Sequence, residues 1–335
     1  MYFSIQGMNK YCVKIIVLGF FAWLMLNASL HSAAPDKIGP ANISMENSIF
    51  DQTHRFISNR LIKTVLWFDE FFSDKRILEE QPARSSVKIS NDFRLEGGEH
   101  LSHRIFFHIN IRLEKLPAKI RLLFSGENKD QPTDPLPSHI IKPGYEKVES
   151  DKIIFSGARY NFINTLHAKY FIESGLKLNL PLDPYLKTRY RQRFPLSSIY
   201  YIQFAETVIW KKLSGWKTTT ELDFAYLITE KIILQLNNAA SYPNPDKGID
   251  FGHVIDFRFK VSDKTAISYN MGLSGITRPE SVISSYKISC KLRKRFYRDW
   301  LYYELEPENI WVRNIDGKYK SKAAITLRLE IRFGN

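Results

Sequence analysis

Charged side chains that recur at every second position are the residues of this sequence with the clearest chemical potential. Alternate positions on a β-strand share one face, so each run would present its charges on one side of a sheet. Basic columns attract anions, and opposite charges on neighbouring strands attract each other. The basic runs contain Lys187, Arg189, Arg191, Arg193, Lys287, Lys291, Arg293, Arg295, Arg328 and Arg332, and the acidic run contains Glu304, Glu306 and Glu308.

The neighbouring segments indicate which of these runs form ion pairs with each other and which could contact solutes. The acidic run lies between two basic runs along the chain, which predicts a network of ion pairs. The basic run at 187–193 has no equally acidic neighbour, because the segment before it offers Glu173 and the segment after it offers Tyr201 and Gln203. We therefore expect the 187–193 column to be the surface that contacts solutes.

The elements that must position these charges are strands, because apolar residues recur with a period of two from Ser86 onward. Apolar residues alternate with polar ones throughout 323–333, for example. Glu206 departs from the pattern because it shares a face with Phe204 and Val208, which predicts local pairing, a site near a rim or an altered register. The predicted strands are 86–96, 100–115, 118–126, 151–162, 167–180, 184–194, 198–211, 215–228, 230–241, 249–262, 264–275, 281–296, 299–312 and 320–333.

This arrangement predicts an all-β fold, an antiparallel transmembrane β-barrel of about fourteen strands. The main alternative is a soluble β-sandwich. A sandwich would not need an apolar outer face on nearly every strand, so the pattern favours the barrel. Twelve strands remain an alternative, because the pattern is weakest between Asn164 and Pro181. Short turns at Leu116-Pro117, Thr229-Glu230, Asp263-Lys264 and Arg298-Asp299 alternate with links that are often longer, at Gly126–Ser150, Tyr242–Gly248 and Val312–Lys320.

The N-terminal part has a different organisation from the barrel at 85–335. Two lysines precede the apolar stretch Ile15–Ala28, and small residues follow it, which predicts a secretory signal peptide at 1–34. A retained anchor helix is the alternative. The segment 35–84 is predicted to hold a polar linker and a short amphipathic helix at 49–72. The apolar face of this helix contains Ile57, Leu61, Val65, Phe68 and Phe72, and Asp69, Glu70 and Asp74 lie near its end. This helix would pack on its own barrel or serve as a plug or a periplasmic partner surface.

Composition agrees with an exported membrane barrel. Aromatic residues make up 14% of the 335 residues, and such barrels carry aromatic girdles at both membrane interfaces. The formal net charge is +13, but export argues against nucleic acid as the partner. We expect the partners to be outer-membrane lipid and lipopolysaccharide, the barrel-assembly machinery and small anionic solutes.

Motifs for catalysis, cofactor binding or metal binding are missing from the sequence. There is no glycine-rich phosphate loop, no H-E-x-x-H and no G-x-S-x-G. Cys12 and Cys290 cannot form a Cys-based zinc site, since the first falls in the predicted signal peptide. His253 is predicted near the outer rim, where some lipid hydrolases place Ser and His, but no serine is clearly placed with it. We predict no cofactor, no metal and no catalytic residue.

Four segments carry a resemblance to a known family. They are Trp67–Phe72, Leu116-Pro117 with Arg121 and Leu122, Phe296–Glu308, and Leu327–Gly334. The R-D-W-L-Y-Y-E-L-E-P run is the most specific part. Together these segments resemble a family of uncharacterised proteobacterial outer-membrane β-barrel proteins, from about residue 65 onward. The resemblance implies the barrel and its location, and it brings no activity or substrate.

The function predicted from the sequence is a porin-like outer-membrane barrel with a charge-rich lumen, either structural or a narrow channel that prefers anions. We do not expect an enzyme, although an outer-membrane lipid-modifying hydrolase is one alternative. A surface receptor or adhesin is the other, with the 127–150 loop as its predicted contact.

Overall fold

The computed structural model describes residues 62–72, 85–97, 100–112, 120–128, 152–178, 181–244, 248–297 and 299–334. The chain divides into two units, Met1–Phe50 and Asp51–Asn335, and the described residues all belong to the second. The predicted signal peptide, the turn at Leu116-Pro117 and most of the 127–150 loop lie outside the described residues. Within the described part, no helix has the length and apolar character of a membrane span.

One helix and fourteen strands make up the described part of the chain. The helix, α1, covers residues 62–71. The strands are β1 (Ser86–Glu96), β2 (His100–Ile111), β3 (Ile120–Asn128), β4 (Lys152–Asn164), β5 (Ala168–Lys177), β6 (Asp183–Pro195), β7 (Tyr200–Lys211), β8 (Gly215–Thr229), β9 (Ile232–Asn244), β10 (Gly248–Ser262), β11 (Thr265–Ile276), β12 (Val282–Arg295), β13 (Leu301–Arg313) and β14 (Tyr319–Phe333).

The strands close into a single antiparallel barrel. Each strand pairs with its neighbours in sequence, and β1 pairs with β14 to complete the ring. The fourteen-strand prediction is confirmed, and the twelve-strand alternative is wrong. In the region where the sequence pattern was weakest, β4 and β5 form a tight hairpin in which the Thr165 hydroxyl accepts a hydrogen bond from the amide of Ala168 (2.9 Å).

The two faces of the barrel are inverted relative to a soluble protein. On β8, Leu222 and Phe224 are each 40% exposed, whereas Glu221 and Asp223, which alternate with them, are 1% and 6% exposed. The same alternation recurs around the ring, so apolar side chains face outward and polar side chains face inward. Hydrocarbon is the solvent that such an outer surface requires, and closure leaves no unpaired strand edge. The protein is therefore a transmembrane barrel of the outer membrane.

Glu206 keeps the outward orientation that the sequence pattern gives it. Its carboxylate accepts a hydrogen bond from the hydroxyl of Thr220, the residue opposite it on β8 (2.7 Å). Of the three explanations left open by the sequence, local pairing is the one that the structure supports.

The barrel has two distinct ends. We call the end with the connections 165–167, 196–199, 230–231 and 263–264 the turn end, and the opposite one the loop end. β1 begins and β14 ends at the turn end. At the loop end, the links predicted at Tyr242–Gly248 and Val312–Lys320 are shorter than predicted, because the flanking strands extend to Asn244, Gly248, Arg313 and Tyr319.

Candidate functional site in the barrel lumen

The helix α1 lies inside the barrel, near its turn end. Three of its side chains, and that of Phe72 directly after it, share one apolar cluster with inward-facing residues from five different strands. Because these strands lie on several sides of the helix, α1 must occupy the lumen. The cluster consists of Val65, Phe68, Phe71, Phe72, Tyr201, Ala225, Ile233, Ala266 and Tyr302.

Aromatic contacts define how α1 packs against the wall. The ring of Phe71 meets the ring of Tyr302 edge to face, with centroids 5.9 Å apart. Trp67 stacks on Phe71 (4.9 Å), and the ammonium of Lys260 lies 4.3 Å from the centre of the Trp67 ring. The predicted amphipathic face included Val65, Phe68 and Phe72 but not Phe71. The helix buries a wider face than the sequence predicted because the barrel surrounds it.

One ion pair joins α1 to the barrel wall. The guanidinium of Arg258 on β10 donates a hydrogen bond to the buried carboxylate of Asp69. A second hydrogen bond from Arg258 goes to Asp256 on its own strand, and the other oxygen of Asp256 accepts a hydrogen bond from the hydroxyl of Ser268 (2.6 Å). Asp69 also interacts electrostatically with Arg191 on β6. The helix therefore brings the acidic group of Asp69 to a basic residue of the wall.

A row of alternating charges crosses the seam of the barrel. Arg293, Glu304, Arg328 and Asp92 are consecutive partners on β12, β13, β14 and β1. Arg293 and Arg328 each contact Glu304, at 2.9 and 3.1 Å. Arg328 reaches Asp92 at 2.6 Å. The register, which the sequence left open, thus places opposite charges side by side.

More ion pairs surround this row. Glu330 contacts Arg293 and Arg332 at 2.6 Å each, and Lys88 at 3.3 Å. On the loop-end side of the row, Glu308 contacts Lys287 at 2.6 Å and Arg94 at 2.5 Å, and Glu306 lies 3.4 and 3.5 Å from Lys287 and Lys291. The acidic run of β13 is thus neutralised by basic groups on three strands.

The basic column of β6 is more enclosed than the sequence predicted. Lys187, Arg189, Arg191 and Arg193 are all buried. Arg189 donates to Thr207 (2.8 Å) and reaches past β7 to Glu221 on β8 (2.5 Å). Sequence reasoning compared only adjacent strands and so missed Glu221. A carboxylate two strands away could be found only from the register and the inward direction of both side chains.

Two further contacts enclose the ends of this column. Arg193 donates to Gln203 on β7 (2.8 Å). Glu173, which lies opposite Lys187 on β5, instead contacts Arg159 on β4 (2.5 Å) and accepts a hydrogen bond from Tyr185 (2.8 Å).

On the inner face, basic and acidic side chains are equally frequent among the buried charges but not among the half-buried ones. Among the described strands, the buried ones are evenly matched: Arg121, Arg159, Lys187, Arg189, Arg191, Arg193, Arg258, Arg293 and Arg332 against Asp92, Glu173, Asp183, Glu221, Asp223, Asp256, Glu304, Glu308 and Glu330. The half-buried ones are mainly basic: Lys88, Arg94, Arg104, Lys169, Lys177, Lys211, Lys217, Lys260, Lys287, Lys291, Arg295, Lys322 and Arg328 against Glu96, Asp250 and Glu306. The part of the inner face that solvent reaches is therefore cationic.

The outer surface shows where the remaining candidates lie. His253 faces outward, and its ring nitrogen Nδ1 shares a hydrogen bond with Asn238 (2.8 Å). Cys290 is half-buried on the same outward side of the barrel. Within the described ranges, no group of three or more His, Cys, Asp or Glu side chains is placed to hold a metal ion.

Comparison with protein-family models and with curated proteins gave no match. Among solved structures, the chain is similar to the outer-membrane channel DcaP of Acinetobacter baumannii (TM-score 0.44, 9% identity, covering 75% of this chain and 96% of that one). It is also similar to OccK10 of Pseudomonas aeruginosa (0.46, 6%, 75% and 99%) and to a KdgM porin in complex with disordered oligogalacturonate (0.37, 8%, 73% and 99%). The family resemblance of the R-D-W-L-Y-Y-E-L-E-P run stays a prediction.

Proposed function

We propose that the protein is a narrow outer-membrane channel that prefers anions. The observation that carries this proposal is the sign of the half-buried charges on the inner face, which are mainly basic while the buried charges balance. A lumen lined by one sign of charge concentrates ions of the opposite sign. Chloride and small organic anions would therefore be favoured over cations.

The loop-end half of the lumen supports the anion preference most directly. Lys177, Lys211 and Lys217 project inward near the loop end of β5, β7 and β8, and all three are half-buried. On the other side of the barrel, Lys287 and Arg94 also reach inward from β12 and β1, where both contact Glu308. An ion entering from the loop end would meet this basic surface first.

The width of the barrel and the position of α1 account for a narrow path. Eight strands enclose an interior filled by side chains, and 16–18 strands leave an aqueous channel, so fourteen strands lie between these cases. A helix with its side chains is about 10–12 Å across. With α1 inside the turn end, the passage there runs beside the helix or depends on its displacement.

Reversal potentials in planar bilayers test this proposal. Under a KCl gradient, we expect a reversal potential of the sign set by chloride. Replacing Lys211→Glu together with Lys217→Glu should shift it toward potassium selectivity. The matched control is Lys231→Glu with Lys264→Glu, which makes the same change in net charge at exposed positions of the turn end. Absence of conductance, or cation preference of the unmodified protein, would contradict the proposal.

The lysine pair is a sharper probe than the arginines of β6. Arg189→Glu would place a second carboxylate beside Glu221, at a site that is almost fully buried. Two unpaired carboxylates in that position would destabilise the barrel and confuse selectivity with folding. Lys211 and Lys217 are half-buried, so reversing their charge changes the lumen at a smaller cost in stability.

A further inference from the structure

Arg258 has the geometry of a preformed site for an oxyanion. Its Nε atom donates to Asp256, and Ser268 holds that carboxylate from the next strand, so the barrel alone fixes the guanidinium plane. The Nη1 atom then points at the carboxylate of Asp69 on α1. Guanidinium groups held in this way bind carboxylates and phosphates with directed hydrogen bonds.

The carboxylate that contacts Arg258 at this position is Asp69, which belongs to α1 rather than to the barrel wall. Asp69 is buried, and it interacts electrostatically with Arg191 across the lumen as well as with Arg258. Glu70, the next residue, is exposed. The helix therefore inserts the carboxylate of Asp69 where a small anion in transit would meet Arg258.

We propose that Arg258 is an oxyanion-binding site in the lumen, and that Asp69 occupies it as a tethered competitor. A small carboxylate or phosphate ion would displace Asp69, release α1 from the wall and widen the turn end. This inference rests on the proposed channel function, and it adds the chemical class of the solute and the means of opening.

The apolar contacts of α1 are the interactions that oppose its release by the anion. The packing of Phe68, Phe71 and Phe72 against the wall opposes release, so the helix returns to the wall when the solute is absent. A ligand that binds only the released state shifts the equilibrium toward release by mass action. Opening should therefore rise with oxyanion concentration and not with ionic strength alone.

Conductance measurements at constant ionic strength test the competition. With the unmodified protein in potassium chloride, replacing part of the chloride by acetate or by inorganic phosphate should raise the conductance several-fold. A response to acetate alone, to phosphate alone or to both supports the site and identifies its ligand. If neither ion raises the conductance of an anion-preferring channel, the proposal is wrong.

Two matched variants sharpen the test. Asp69→Asn removes the competing charge, so it should raise the conductance in chloride several-fold and abolish the response to acetate and phosphate. Glu70→Gln makes the same change of charge one residue away, at an exposed position, and should behave like the unmodified protein. The proposal is overturned if Asp69→Asn leaves the conductance and the response unchanged.

A second readout separates this inference from the channel proposal. Val65 is almost fully buried and is close to cysteine in size, so Val65→Cys in a Cys12→Ala, Cys290→Ala background should keep α1 docked and react slowly with a water-soluble maleimide. Acetate, phosphate or the added Asp69→Asn change should accelerate labelling several-fold, whether or not ions cross the barrel. Labelling that is accelerated without any conductance would contradict the channel alone. Labelling that none of these changes accelerates would contradict the release of α1. Ile62→Cys, at a fully buried position of α1, provides the same measurement if Val65→Cys fails to fold.

Discussion

Arg189 on β6 reaches past an entire strand to contact Glu221 on β8, with 2.5 Å between Nη2 and Oε2. Both side chains are buried, and the hydroxyl of Thr207 on the intervening strand accepts a second hydrogen bond from Arg189 (2.8 Å). Three strands are thus linked by side chains as well as by their backbone ladder. Side-chain contacts on the inner face therefore hold strands together in addition to the backbone hydrogen bonds.

Removing one partner of this pair should destabilise the folded protein. We expect Arg189→Ala to lower the free energy of unfolding by about 3–5 kcal/mol, because it leaves the carboxylate of Glu221 buried without its counter-charge. Replacing both residues by methionine should restore most of that loss, since no charge then remains buried. Urea unfolding in detergent micelles, followed by tryptophan fluorescence, measures both changes. Lys212→Ala, which removes an exposed cation from the neighbouring turn, should have little effect.

The docking of α1 should depend on Phe68. This side chain is fully buried among residues of the barrel wall, so Phe68→Ala leaves a cavity and should weaken docking of the helix by about 3–5 kcal/mol. The barrel itself should keep its heat-modifiable migration on gels, because its strands do not depend on α1 for hydrogen bonding. Limited proteolysis should then cut within 62–72 faster than in the unmodified protein. Equal cleavage rates in Phe68→Ala and in the exposed control Lys63→Ala would rule out this role.

The turn between β10 and β11 should show a measurable pKa shift. A hydrogen bond from the Lys260 ammonium, with its positive charge, holds the pKa of Asp263 below the ordinary value of 3.8. Because the folded-state pKa is the lower one, the pair stabilises the folded state above pH 3.8 and loses that effect as the pH falls through the folded-state pKa. Carboxyl NMR in micelles should show the pKa of Asp263 rising toward 3.8 in Lys260→Met. The neighbouring Lys264→Met change should shift it less, and equal shifts would contradict this assignment.

The strands could be predicted from the sequence to within a few residues, because a surface between lipid and lumen imposes a strict period of two. The inward direction of Glu304 and Arg293 follows from the same period. Their pairing does not, because a period says nothing about register, and only the backbone ladder makes them direct partners. The contact between Arg189 and Glu221 was missed for a related reason, since it skips a strand.

The helix illustrates a different limit. Its amphipathic pattern identified Val65, Phe68 and Phe72 as apolar contacts. The pattern could not indicate that strands surround the helix, and so it left out Phe71, which meets Tyr302. The sequence placed Asp69 near the helix end, but a helical pattern carries no information about a distant arginine at position 258.

The salt-bridged row across the seam also bears on biogenesis. Arg328 on β14 carries the contacts that reach Glu304 on one side and Asp92 on the other. Until β14 is in place, the carboxylates of Asp92 on β1 and Glu304 on β13 lack this shared counter-ion. A carboxylate that is buried without a counter-ion costs free energy. Insertion of the last strand therefore gives Asp92 on the first strand its contact with Arg328, and a chain that stops before β14 lacks this contact as well as the pairing that closes the barrel.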